Sequence, residues 1–314
     1  MKPAIFAILA VLPLCAQVKF NKSPEQIDIQ IDGKPFSTFY IGGEAPKPFL
    51  APLRSADGVV VTRRFPMEKV EGETRDHPHH RGMWFTHGDV NKIDYWMNEL
   101  NAKDKGIHGL VKLEKVQQAK DGRKSGTIKA SFIWETDKKA PLLRETRTMT
   151  FYSDPKLRII DFDSTLTALE KATFGDTKEG FFAIRLRDEM REAKGTGKMT
   201  NAEGKTTMKQ VWGSASPWVD YSGTLEGKKI GVAIFDNPLS FRHPTYWHAR
   251  DYGLFAANAF GLHDFLRDKT KDGSYTLEKG KSIRFFYRVV IHPGDTMEAD
   301  IAKLYDAWVK STKK

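Results

Sequence analysis

The sequence predicts an all-β fold closed by one C-terminal helix, on three observations. Apolar and polar residues alternate with period two through most of the 314-residue chain. Asp-Gly turn signals punctuate those runs, as in hairpins. Only one segment, near the C-terminus, shows a convincing helical period. Strands at this density, divided by Gly, Pro and Asp turns, indicate a sandwich or barrel.

The elements follow in order. Ile27, Ile29 and Ile31 alternate with polar residues, Asp32-Gly33 turns, and Phe36 to Ile41 returns as the second arm of a hairpin. Val59 to Phe65 is β-branched and aromatic, so it reads as a strand. Leu110 to Val116 alternates, Asp121-Gly122 turns, and Thr127 to Trp134 alternates again. Leu142 to Tyr152, Leu157 to Leu169, Gly180 to Leu186, Lys229 to Phe235 and Ile283 to Ile291 continue the series. Ala193 to Lys209 is polar and Gly-rich and reads as a long loop. The helix is expected over 296–311. Asp295 and Glu298 have capping-box spacing, and Met297, Ile301, Leu304, Tyr305 and Trp308 follow on one face. With no linker or repeat, residues 18–314 read as one domain.

Residues 1–17 read as a secretory signal. Lys2 supplies positive charge, Ala4 to Leu14 a short apolar stretch, and Ala16 a small residue near the cleavage point. The expected location is the periplasm or outside the cell. A lipoprotein would be anchored through Cys15, but bulky Leu14 makes a poor lipobox. Cys15 is the only cysteine, so the mature chain would lack disulfides, thiolate catalysis and Cys-bound zinc. No apolar run is long enough to span a bilayer. The net charge of +10 is scattered and interleaved with acids, as in Lys112 to Lys115 and Arg185 to Arg191. It lacks the concentrated stripe that nucleic acid requires. It reads as a solvated basic surface, or more sharply as attraction to acidic glycans.

Chemistry concentrates in three segments. Residues 76–89, DHPHHRGMWFTHGD, hold four of the nine histidines. If extended, His77 and His79 share one face and His80 takes the other. Pro78 argues for an edge or loop. Imidazoles so grouped suit acid–base work near neutral pH or metal ligation. Residues 241–252, FRHPTYWHARDY, mix aromatics with His, Arg and Asp, the combination that stacks on a sugar ring and bonds its hydroxyls. Asn258 and Phe260 are expected to border the same pocket. Glu179 enters a buried-looking strand with Arg185 six residues on, so it reads as a carboxylate base at a strand mouth. His108, His263 and His292 stand alone and read as structural. No G-x-S-x-G, Walker A, H-E-x-x-H or EF-hand motif is present.

The first segment, with Asp94, Tyr95 and Trp96 after it, resembles the bacterial family labelled methane oxygenase PmoA-like. The runs Asp176 to Gly180 and Tyr246 to Gly253 fit it too. The resemblance covers nearly the whole mature chain. It implies exported proteins of glycan-degrading bacteria. Strand pattern and length are also similar to the galactose-mutarotase-type β-supersandwich. That resemblance implies sugar epimerases, lyases and hydrolases that use His with Glu or Tyr as proton donors and acceptors.

The leading expectation is therefore an exported carbohydrate-active lyase, epimerase or hydrolase acting on a sugar or glycan. His79, His87 and Glu179 are the candidate catalytic residues. Arg81, Arg185 and Arg250 would orient hydroxyls, with His248 and Asn258 in the same pocket. Trp84, Tyr246 and Trp247 would form the sugar platform. Two alternatives stand beside it. A metal-dependent oxygenase or hydrolase would hold a divalent metal through His77, His79, His87 and Asp89. A non-catalytic glycan-binding protein would use the same aromatics. The three segments are expected to converge in one pocket.

Overall fold

The computed structural model describes residues 17–99 and 106–313. The signal assigned to residues 1–17 and the lipobox at Cys15 therefore lie outside the described residues, apart from Gln17. Two eight-stranded, all-antiparallel sheets form the fold, together with a small two-stranded ribbon. This is the β-supersandwich that the strand pattern predicts.

The first sheet takes β1 (Val18–Lys22), β2 (Gln26–Ile31), β3 (Lys34–Tyr40), β4 (Phe49–Ala51) and β5 (Met83–His87). The second sheet takes the long strands β6 (Leu110–Lys120), β7 (Ser125–Glu135), β8 (Pro141–Ser153) and β9 (Arg158–Ala168). Next come β10 (Ala172–Phe174), which belongs to the ribbon, and β11 (Gly180–Arg185) of the first sheet. The second sheet adds β12 (Lys198–Asn201), β13 (Trp218–Leu225) and β14 (Lys228–Asp236). The chain returns to the first sheet with β15 (Tyr246–Ala249) and β16 (Leu254–Asn258). It completes the ribbon with β17 (Tyr275–Leu277) and the second sheet with β18 (Ser282–Pro293). The order in the first sheet is β1-β2-β3-β4-β5-β11-β16-β15, and in the second β12-β13-β14-β18-β9-β8-β7-β6.

Alternation explains the packing. β9 buries every second residue along its whole length, from Arg158 through Ile160, Phe162 and Leu166 to Ala168. Its inward side chains meet those of the first sheet, so aromatic rings interlock across the sandwich. Phe39 meets Phe132 at 6.1 Å, Phe85 meets Phe162 at 5.3 Å and Phe182 stacks on Tyr287 at 4.8 Å between centroids. Each fully buried Phe is worth about 1.5–3 kcal/mol by transfer, so the rings of this layer contribute substantially to stability.

Some elements depart from the sequence reading. Val59 to Phe65 makes only isolated bridges, Val60 to Arg54 and Thr62 to Leu186, and forms no strand. The loop expected over Ala193 to Lys209 contains β12 and the start of a one-turn helix, α1 (Met208–Val211); a second short helix, α2, covers Leu262–Phe265.

The C-terminal helix, α3, runs over Ile301–Thr312 rather than starting at 296. The expected reciprocal bonds do form: Asp295 Oδ1 accepts from the Met297 and Glu298 amides, and Glu298 Oε2 accepts from the Asp295 amide. They close a separate turn, because Asp300 takes a left-handed conformation (φ 50°) that interrupts the helix. Trp308 and Ile301 then seal the outer face of the second sheet against Trp218, Phe235 and Phe286. No described helix is long and apolar enough to cross a membrane.

Candidate functional site

The outer face of the first sheet holds the site. In β5, Met83 and Phe85 point into the inter-sheet core, while Trp84 joins a separate cluster with Phe49, Trp96, Ala183, Leu254 and Ala256. The cross-strand pairs Trp84–Ala183, Ala183–Ala256 and Ala256–His248 continue that outer row over β11, β16 and β15. Small alanines in the middle of the row let the covering loops, Tyr252 among them, pack down onto the sheet.

The loop 76–82 lies over this row as a turn rather than an extended run. His80 N–H donates to the His77 carbonyl at 3.0 Å. The turn stacks His77 on His80, 4.8 Å between centroids and 8° from parallel. The expected sharing of a face by His77 and His79 is thus replaced, because an i, i+3 turn does not alternate. Gly82 ends the loop at φ 57°, where a Cβ would lie 2.2 Å from the Leu50 carbonyl oxygen. Only glycine fits there.

Arginines hold the loop down. Asp76 Oδ1 accepts from Arg185 Nη2 at 2.8 Å and also from Arg63 Nη1. Arg63 Nη2 donates to the His77 carbonyl at 2.8 Å. Arg185 Nη1 lies 3.2 Å from His80 Nδ1. A guanidinium only donates, so that ring nitrogen is an acceptor. Burial would raise the Asp76 carboxyl, but Arg185 and Arg63 outweigh it and hold it below its usual range. His79 is pushed down to about 2 by burial, reinforced by Lys47, His77 and the two arginines. His80 is pushed well below its ordinary value by burial and by the charges around it. Both rings are neutral at physiological pH.

Tyr252 joins the segments. Its ring stacks on His77 at 5.2 Å, with the Arg185 guanidinium 4.6 Å and that of Arg250 5.4 Å from its centroid. Burial pushes its phenol up to about 12, against the two arginines and with the help of Glu179 and Asp76. His248, on the same face, is pushed down to about 3 by burial and by Arg250 and Lys178; its Nδ1 is buried without a partner. The arrangement therefore sets neutral imidazoles, a protonated phenol and fixed guanidinium charges side by side. It sets hydrogen-bond acceptors, a hydroxyl donor and fixed positive charge on one face of the sheet.

Several expected site residues lie elsewhere. His87 points into the inter-sheet core, fully buried among Phe174, Phe181 and Phe260. Its Nε2 bonds the Gly175 carbonyl at 2.8 Å, and burial pushes it down to about 4. It is on the opposite side of the sheet from His79's neighbours. Trp247 also faces the core, its indole N–H donating to the Ser216 carbonyl. Trp84 is covered by His80 at 5.1 Å and Trp96 at 4.9 Å, so it offers no open platform. Tyr246 is half-buried and stacks on Phe265. Asn258 pins the loop before β11, its amide donating to the Thr177 and Lys178 carbonyls. Glu179 is half-buried at that loop, beside Lys178. Arg81 is paired with Glu99 through Nε, shared between the two carboxylate oxygens, and Nη2.

The metal set His77, His79, His87 and Asp89 is not gathered, since His87 faces inward and Asp89 bonds Lys92. Among the described residues, no three His, Cys, Asp or Glu side chains are placed to hold one ion.

Tyr252 and Asp76 lie inside the chemistry-bearing segments but have no role assigned there, and no sequence signal marks Arg63 or Lys47. Lys47 is fully buried, bonded to the Trp96 carbonyl and to Asn98 Oδ1, and burial pushes it down to about 7. A lysine between two prolines carries no signal of burial.

Fold and site together define a large antiparallel β-sandwich protein with a His–Tyr–Arg cluster on one outer sheet face. Residues 26–306 match the family of unknown function DUF6807, and the chain belongs to that family. The PmoA-like label is not the family this match gives. No curated protein matches the sequence. Among solved structures, a galactose mutarotase-like protein from Clostridium acetobutylicum is similar at a TM-score of 0.42 and 10% identity, over 88% of this chain and 98% of that one. The galactose 1-epimerase from Lactobacillus acidophilus gives 0.41 and 9%, over 88% and 98%. The alpha-galactosidase from Lactobacillus brevis gives 0.41 and 7%, over 89% of this chain and 40% of the galactosidase, so the chain spans less than half of that protein.

Proposed function

We propose that this protein is an exported carbohydrate-active enzyme that moves a proton at a sugar carbon or glycosidic oxygen, as a lyase, epimerase or hydrolase. The observation that carries this reading is the Tyr252 junction. One ring touches His77, Arg185 and Arg250, residues drawn from all three chemistry-bearing segments. His79 is the candidate base and Tyr252 the candidate acid. Burial holds His79 neutral and Tyr252 protonated in the free protein, so each acts only once a bound substrate places compensating charge beside it. Arg250 and Arg185 steady the developing charge on oxygen, His248 shares the outer face with them, and Glu179 reaches the set only through its charge on Tyr252. His87 has no part in this set, because it faces the core.

A screen of the mature protein against neutral and acidic glycans tests the reading. Turnover should fall by about 10²–10⁴-fold in His79→Gln and in Tyr252→Phe, the range typical of lost acid–base groups, with melting temperatures close to the parent. Wild-type turnover in both variants overturns the assignment. Glycan binding without turnover by the parent protein makes it a binding protein instead. Export is read from residues 1–17 alone, and an intact N-terminus in mass spectrometry of the native protein overturns it.

A further inference from the structure

We infer that a cavity on the far side of the histidine loop is a separate binding subsite for an uncharged saccharide unit, and that it rejects acidic sugars. The inference deepens the carbohydrate reading and rests on it. The cavity has a volume of about 610 Å³, inside the range of small-ligand sites. Tyr40, Phe49, Met67, Pro78, Arg81 and Glu99 form its walls. Pro78 lies between His77 and His79, and Arg81 follows His80. One loop therefore supplies a wall of the cavity and the imidazoles of the catalytic cluster, so a chain of sugar units lying over the loop reaches both.

The lining has the chemistry of a sugar site. Tyr40 is half-buried and stacks on Phe49 at 4.7 Å and 18°, a rigid apolar surface for the C–H face of a pyranose. Arg81 lies over the Phe49 ring at 5.3 Å and is fixed by Glu99 through three bonds, two from Nε at 2.9 and 3.2 Å and one from Nη2. The pair is only 19% and 11% exposed. Held in this way, it presents a preorganised set of hydroxyl partners rather than a free cation. Glu25 and Glu44 also line the cavity. Among the described lining residues Arg81 is the only cation, and Glu99 already neutralises it. The described lining is therefore negative on a chain whose net charge is +10. A uronate or sulfated unit would meet like charge, whereas a neutral hexose would not. The scattered basic surface thus does not decide what this cavity takes.

Thermal-shift measurements on the mature protein with D-glucose, D-galactose, D-mannose and D-glucuronate test the subsite. At least one neutral hexose should raise the melting temperature by mass action, and D-glucuronate should not. Met67→Trp and Ala45→Trp, each placing an indole in the cavity, should abolish the shift while circular dichroism shows a folded protein. Two variants at different walls guard against one failing to fold. No shift with any neutral hexose, an equal shift with D-glucuronate, or a shift unchanged in both tryptophan variants overturns the subsite. His79→Gln should retain the shift. A shift kept there, with turnover also kept, refutes the catalytic reading and leaves the subsite standing. Turnover dependent on His79 with no hexose shift does the reverse.

Discussion

The ring of Tyr252 lies against that of His77, 5.2 Å between centroids and 15° from parallel. The contact ties the turn between β15 and β16 to the histidine loop, two segments far apart in sequence. It also separates what the ring does from what the hydroxyl does.

Tyr252→Phe should keep the stack on His77 and the two guanidinium contacts, and so keep the melting temperature. Turnover should fall by about 10²–10⁴-fold because the proton donor is gone. Tyr252→Ala should lose turnover and also about 1–3 kcal/mol of stability from the lost burial and ring contacts. Urea unfolding beside a turnover assay checks both. Equal turnover in Tyr252→Phe and the parent would remove the hydroxyl from the chemistry.

His79, His80, His87 and His248 all have folded-state values below that of an unfolded histidine. The unfolded chain then binds more protons than the folded one below about pH 6.5, so stability must fall as pH drops through that region. Unfolding free energy should be flat for these groups above about pH 6.5 and decline steeply toward pH 4. Imidazole NMR signals of His79 should remain those of a neutral ring at pH 5. A ring that titrates near 6.5 contradicts the burial argument.

His292 has the opposite sign. Its Nε2 meets Asp220 Oδ1 at 3.0 Å, both side chains fully buried, and Thr296 Oγ1 donates to Asp220 Oδ2. Burial would lower it, but Asp220 and the Pro293 carbonyl outweigh that and raise it. The stabilisation is complete below the unfolded value of about 6.5 and is lost as pH rises through the folded value. His292→Gln should remove this alkaline-side loss and cost about 3–5 kcal/mol near pH 6, as when one partner of a buried pair is removed. Chemical denaturation at several pH values reads both effects.

A second buried pair sits between the sheets. Glu145 accepts from Arg147 at 2.7 Å, Ser164 at 3.0 Å and the Trp134 indole at 3.1 Å. The Arg147 guanidinium lies 4.9 Å from the Phe132 and Phe162 ring centroids. Glu145→Leu should destabilise by about 3–5 kcal/mol, because it strands a buried cation. Adding Arg147→Met should restore most of that loss. A double variant no more stable than the single would show that the two charges do not depend on each other.

Most of the long strands, the hairpin at Asp32-Gly33 and the segments that carry the chemistry are legible in the residue pattern, while Val59–Phe65 forms no strand and β12 lies in an expected loop. A period of two is a local property, and β2, β7, β8, β9 and β18 show it directly. Which face each residue takes is set by packing between distant segments. All five residues of β5 are buried, because one face meets the other sheet and the opposite face is roofed by loops. Alternation along Met83 to His87 therefore could not tell the core side from the site side. The same ambiguity affects Trp247 and His248, adjacent in sequence and opposite in space. His87 and Trp247 went inward, and Tyr252 became the junction, because the closure of the sandwich and the turn of residues 76–82 are set by contacts between distant segments. No local pattern encodes those contacts.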